Sequence, residues 1–186
     1  MNQTASIAAW TLHNLGLATS LGGSIYGRTA LHPSLGTVPN PTDRARLAHE
    51  SWRRFNRLNL LSHVAFALSW FVGRRRLNGR EIDRTSRVLV HIKDALIATS
   101  LASGLTAIAV GERGIREPAT GEEPPMTTKG MLAPEASPQA KRAQRLTMVA
   151  GLVNMAALAG VIGVTAALAM RAGRSTKWSL VSRLLP

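Results

Sequence analysis

The run from Leu146 to Met170, LTMVAGLVNMAALAGVIGVTAALAM, constrains this chain more than any other stretch. Its 25 residues carry no charge, and Asn154 is its one strongly polar side chain. A helix rises ~1.5 Å per residue, so about 20 apolar residues cross a ~30 Å hydrocarbon core. The run is long enough to cross with some tilt. Three weaker apolar stretches precede it, at residues 5–26, 58–73 and 88–110. The expected fold class is therefore all-α: an integral membrane four-helix bundle with interfacial amphipathic helices, forming a single domain over residues 1–186.

Averages conceal this arrangement. Hydrophobic residues make up 45% of the chain and mean hydropathy is only +0.04, because neutral blocks alternate with Arg-rich ones. Net charge is +13, with 19 Arg against 4 Lys, and the base sits beside the apolar blocks. That placement suits anionic lipid headgroups, each nearby base adding roughly 1 kcal/mol of attraction. No basic face stands apart from the membrane flanks, which argues against nucleic acid as a partner. With no Cys there is no disulfide, thiolate metal site or Cys nucleophile. The arginine bias fits a GC-rich bacterial genome, so the expected location is a bacterial inner membrane, crossed several times.

Taken in order, the first span is Ala5–Tyr26, with no base before Arg28. A signal peptide would carry a basic n-region, so the segment is read as a retained helix. Gly16, Ser20 and Ser24 recur four apart, and Gly23 pairs with Gly27 as GxxxG, spacings that let helix backbones approach closely in lipid. Pro33, Pro39 and Pro41 mark a loop. Asn40-Pro41 then reads as a helix start, cap followed by first helical residue. From there to Arg57 the pattern is amphipathic, with Ala48, Trp52 and Phe55 on one face, as in interfacial helices. It is expected to run straight into the second span, Leu58–Gly73, which Arg57 and Arg74 bound. Asn78-Gly79 signals a turn, and a third helix is expected from near Arg80, crossing lipid between Ala95 and Val110. Residues 111–141, rich in Pro and Glu, form a mobile connection or a small extramembrane lobe. In the fourth helix Ala156, Gly160, Gly163 and Ala167 approximate one seam. Trp178, Val181 and Leu185 then share a face of an interfacial tail helix over 174–186. Four spans put both termini on one side, but basic residues divide ten against twelve between the two sides, so charge bias does not orient the bundle.

Polar groups at membrane depth are costly, so each is a candidate for function. His13 lies near the middle of the first span and His63 within the second. Two imidazoles at similar depth on neighbouring antiparallel helices could ligate a haem iron or a metal ion. The bland alternative is one hydrogen bond from each ring to a neighbouring helix. Arg84, Arg87, His91 and Asp94 form a polar stripe entering the bilayer, a candidate proton or ion path through His91 and Asp94. Its bland alternative is a helix end paired internally, with Asp94 neutralised by His91 or Lys93. Asn154 reads as an interhelical hydrogen bond. No phosphate-binding loop, GxSxG or carboxylate pair in an apolar setting is present, so no catalytic residue is assigned.

The segments LHNLGLATSLGGSIYGRTALHPSL and RRFNRLNLLSHVAFAL, through Leu12-His13, Gly22-Gly23 and His32-Pro33, resemble a broad group of small bacterial four-helix membrane proteins. That group includes domains of unknown function and copper-resistance-D-like and anthrone-oxygenase-like proteins. The resemblance covers a third of the chain. It implies the four-helix fold and interest in His13 and His32, with no agreed activity. Together these features point to a membrane accessory or structural subunit, packing with other membrane chains or with copies of itself. A haem- or metal-binding redox protein using His13 and His63 is the alternative, and a small transporter through Asp94 a second.

Overall fold

The computed structural model describes residues 3–74, 84–116 and 120–174. Four long helices make up the fold: α1 (Gln3–Tyr26), α2 (Pro41–Arg74), α3 (Arg84–Gly114) and α4 (Pro138–Arg174). The Asn78-Gly79 turn, the expected start near Arg80 and the tail helix beyond Arg174 lie outside the described residues. Helix starts follow local chemistry. Asn40 Oδ1 accepts from the amides of Thr42 (2.8 Å) and Asp43 (3.3 Å), and Pro41 takes the first position, where its missing N–H costs nothing. Ser137 Oγ caps α4 by accepting from Ala140 N, again with a proline next in line. As expected, the amphipathic segment and the second apolar stretch are one helix, 34 residues and roughly 51 Å long.

Two expectations need correcting. Residues 27–37 are not a loop. The chain leaves α1 through a π-helical turn, Gly27–Leu31, then one α turn, His32–Ser34, and a 3₁₀ turn, Leu35–Thr37. Pro33 stands at the start of its turn and so breaks nothing. The chain opens only at Val38 (φ −84°, ψ 115°), which precedes Pro39 and is pushed to extended backbone. The second correction concerns 111–141. α3 runs on to Gly114, and of the two forms expected the described part takes the folded lobe. Met126 and Leu132 pair across a turn closed by Gly130 at φ +75°. Leu132, Ala136 and Ala140 bury a small core of their own against Ile115.

The helices pack as two antiparallel pairs, α1 with α2 and α3 with α4, with fewer contacts between the pairs. Glycines set the first pair. A Cβ on Gly16 would lie 2.6 Å from Ser62 O, and Gly23 and Gly27 receive the rings of Phe55 and Trp52. In the second pair Gly160 faces Leu96. The seam expected on the fourth helix therefore splits: Gly163 meets nothing within 4 Å and, like Ala156, is exposed.

At one end of the bundle Leu17, Phe66, Trp70, Ile97, Leu158 and Val161 form the apolar core. Much of the rest of the interior is polar: His13, Ser20, Asn59, His63, Lys93 and Ser100 are all buried. Large apolar side chains instead cover the outside, among them Leu12, Leu15, Leu61, Leu68, Leu105 and Leu152. Two helices are long and apolar enough to cross a membrane, over Arg84–Arg113 and Pro138–Arg171, and only 17% and 22% of their most apolar windows are buried. A soluble core helix would hide most of such a window; these display it.

Candidate functional site: a polar belt beneath a roofed cavity

Three layers run along the bundle axis. In the first, at the closed end, His13 Nδ1 donates to Phe66 O (2.9 Å), which leaves Nε2 to accept from Lys93 Nζ (3.0 Å). Lys93, fully buried, lies 3.8 Å from the centre of the Trp70 ring, and Trp70 Nε1 donates to Asp94 Oδ1 (2.8 Å). Lys93 therefore turns inward, while exposed His91 stands 3.9 Å from Asp94 on the outside. The stripe expected of His91 and Asp94 thus divides between exterior and interior.

The middle layer is centred on His63. Its Nδ1 donates to Asn59 O (2.8 Å) and lies 3.3 Å from Ser20 Oγ; its Nε2 lies 3.1 Å from Ser100 Oγ and 3.2 Å from Asn154 Oδ1. Ser100 donates to Asn154 Oδ1 at 2.8 Å. One belt thereby ties all four helices together. The expected pairing of His13 with His63 divides between two layers: His63 meets Ser20 and Asn154 instead, both nitrogens of His13 and Nδ1 of His63 are engaged by the protein itself, and His63 Nε2 faces Ser100 and Asn154. Among the described residues no group of three or more His, Cys, Asp or Glu could hold a metal.

Above the belt lies the third layer, a cavity of about 590 Å³, within the range of small-molecule sites. Asn154 and Gly104 line its floor, Asn59, Trp52, Arg28 and Thr147 its walls, and Met126, Gly130 and Leu132 its roof. Arg28 reaches from the end of the first helix across to α4, where Nη2 donates to Met148 O (3.1 Å) over Gly151. A Cβ on Gly151 would sit 2.6 Å from that nitrogen, so the flexible end of Arg28 would have to shift to admit it. Two buried side-chain atoms have no partner among the described residues, Asn59 Oδ1 and Thr147 Oγ1, and both residues line this cavity. An orphaned buried polar atom costs about 1–3 kcal/mol and is uncommon in folded proteins.

Arg44 holds the roof. It is 4% exposed and spends its guanidinium on backbone: Nε donates to Leu35 O (3.1 Å), Nη2 to Val38 O (2.7 Å) and Pro39 O (3.4 Å), and Nη1 to Met126 O (2.5 Å). Gln144 ties the other edge, accepting from Leu132 N and donating to Gly130 O. At the rim His49 and Glu123 approach to 3.5 Å. Sequence reasoning missed Arg28, Arg44, Asn59 and Thr147. Arg28 and Arg44 each reach an acceptor in a distant segment, 120 and 82 residues away, and none of the four belongs to a periodic pattern.

His32 makes part of the wall sensitive to acid. Its Nε2 accepts from Trp52 Nε1 (2.9 Å), which only a ring unprotonated at that nitrogen can do. Burial, then the charge of Arg28, push its pKa below the usual 6.5. The unfolded chain therefore binds more protons in this range, so stability falls as pH drops below 6.5 toward the depressed folded value. We expect thermal stability to decline between about pH 7 and pH 5, with part of that decline absent in His32→Gln. Melting curves of both proteins at the two pH values check this; parallel declines would exclude His32 as the sensor.

Comparison with protein families, curated proteins and solved structures finds no match for this chain.

Proposed function

We propose that this chain is a multi-pass bacterial inner-membrane protein whose four helices all cross the bilayer, and that it acts without chemistry of its own, as an accessory or structural subunit. A polar interior within an apolar exterior supports the membrane reading, because lipid reverses the usual cost of exposing apolar side chains. The basic residues at the helix ends would then meet anionic headgroups.

One observation carries the subunit reading. Val149, Leu152, Ala156, Ala159, Gly163 and Ala166 are all exposed on α4. Their spacing alternates three and four, the repeat of a helix–helix seam. Four of the six are Ala or Gly, which in lipid admit a second helix backbone closely. Inside the chain this ridge is unused, while the face carrying Ala150, Asn154, Ala157, Leu158 and Val161 is buried. The partner is another membrane chain or a second copy of this one.

Gly163→Leu should leave the fold intact, since its position opens on empty space. It should reduce co-purifying partner or dimer at least tenfold, equivalent to about 1.4 kcal/mol. Native mass spectrometry from mild detergent, on the wild type and the variant, provides the comparison. A wild type that is monomeric and partner-free in native lipid would refute the subunit reading.

A further inference from the structure

The cavity above the His63 belt is not explained by subunit packing. We propose that it binds an amphipathic organic acid, with an oxyanion on Arg28, a hydroxyl or amide N–H donating to Asn59 Oδ1, and an apolar body against Trp52, Phe55 and Ile108.

Three independent features define this ligand. The first is the pair of orphaned atoms. Asn59 is 5% exposed, and its Oδ1 has no donor among the described residues. A carbonyl oxygen only accepts, so its missing partner must be a donor. Thr147 Oγ1, on another wall, can donate or accept. No other buried side-chain nitrogen or oxygen among the described residues lacks a partner.

The second feature is charge. Arg28 makes one hydrogen bond, to a neutral carbonyl, and no described carboxylate pairs with it. A guanidinium carries five N–H donors in a fixed fork that matches a carboxylate or phosphate. Gly151 provides the space in which that fork lies.

Shape is the third. The lining runs from Ser24 to His32 on the first helix and its extension, from Ala45 to Asn59 on α2 and from Gln144 to Asn154 on α4. On α2 alone that is roughly 21 Å of helix. A long, largely apolar slot with polar groups at separate depths fits an elongated amphiphile better than a small inorganic anion. Both a membrane-derived acyl chain and a water-soluble aromatic acid have this chemistry, and the experiment separates them.

The test uses the full chain in nanodiscs and bromine quenching of tryptophan. Trp52 lies in the wall, so the part of the quenching that disappears in Trp52→Phe reports the cavity. The probes are a dibrominated hydroxystearate, whose hydroxyl can donate to Asn59 Oδ1, the alcohol made by reducing its carboxyl group, and a brominated hydroxybenzoate. The hydroxystearate is expected to quench Trp52 saturably, with the alcohol at least tenfold weaker. Arg28→Gln should weaken the acid about tenfold and leave the alcohol unchanged, because a charge-assisted bond is lost. Thr147→Val and Asn59→Leu should each weaken binding several-fold without lowering the melting temperature, since each removes an atom unpaired in the free protein. These variants keep the test decisive should Arg28→Gln fail to fold. Tighter binding of the hydroxybenzoate than of the hydroxystearate would support the site and assign a water-soluble source. Equal binding of acid and alcohol overturns the proposal, as does quenching that survives Ala107→Phe, which fills the cavity. These results concern the cavity alone; the α4 ridge is tested separately by Gly163→Leu.

Discussion

Arg44→Ala should destabilise the protein by about 3–5 kcal/mol, because it strips the donor from several buried carbonyls, each costing about 1–3 kcal/mol when left unpaired. Total stability of a domain is about 5–15 kcal/mol, so this is a large share. Four carbonyls, of Leu35, Val38, Pro39 and Met126, would lose their charged donor inside a site that is 4% exposed. Water entering the space would replace some of these bonds, but not the rigid fork that fixes two chain segments at once. Lysine would not substitute, since one ammonium cannot reproduce the planar arrangement of Nε, Nη1 and Nη2. The effect should appear first in the roof. Limited proteolysis between residues 120 and 137 should accelerate, and the melting temperature should fall, in both Arg44→Ala and Arg44→Lys. A roof as resistant as wild type in Arg44→Ala would show that Leu132, Ala136 and Ala140 hold it unaided.

Gly16→Val should be comparably damaging for a different reason. The obstacle to a side chain at Gly16 is backbone: Ser62 O at 2.6 Å and Phe66 N at 3.2 Å from an ideal Cβ. Rotamer changes cannot clear a backbone oxygen, so α1 must move away from α2. Overpacking costs typically about 1–3 kcal/mol. Here the shift also stretches the bond from His13 Nδ1 to Phe66 O (2.9 Å) and the contact of Ser20 Oγ with His63 (3.3 Å). A loss at or above the upper end of that range is expected. Gly22→Ala is the matched control on the same helix: its site is open, and alanine is the better helix former by about 1 kcal/mol. Thermal melts should place Gly22→Ala at or above wild type and Gly16→Val far below. Similar melts for both glycine variants would mean that the α1–α2 approach is looser than these distances.

These two positions also illustrate what could be read before the structure. Gly16, Gly23 and Gly27 stood out because helices in lipid approach through small residues, and all three lie against α2. The apolar runs located the helices, and Asn40-Pro41 located a start to the residue. Arg44 was legible only as one more base on an amphipathic helix. Its acceptor on Met126 lies 82 residues away and leaves no pattern in the sequence. Lys93 was read with the His91–Asp94 stripe, yet neighbours on a helix differ by about 100° in direction, and it turns into the core. Gly160 and Gly163 were placed on one seam for the opposite reason: three residues fall about 60° short of a full turn, enough to separate Leu96 from open space. The cavity could not be foreseen. It exists where four segments diverge, and divergence is a property of the assembled helices, not of any one of them.

The span of the Arg44 bond sets an order on how the molecule is completed. During synthesis Arg44 emerges with Leu35, Val38 and Pro39 already made, and its local carbonyls are available at once. Met126 follows 82 residues later, after α3 has been built. Until then the open side of the guanidinium faces no chain, and the first hairpin carries an unfinished edge. Closure of that edge comes after α3 and before α4, which begins at Pro138. A ribosome stalled before Met126 would leave the Arg44 edge open, and one stalled between Met126 and Pro138 would leave that edge closed with α4 still unmade.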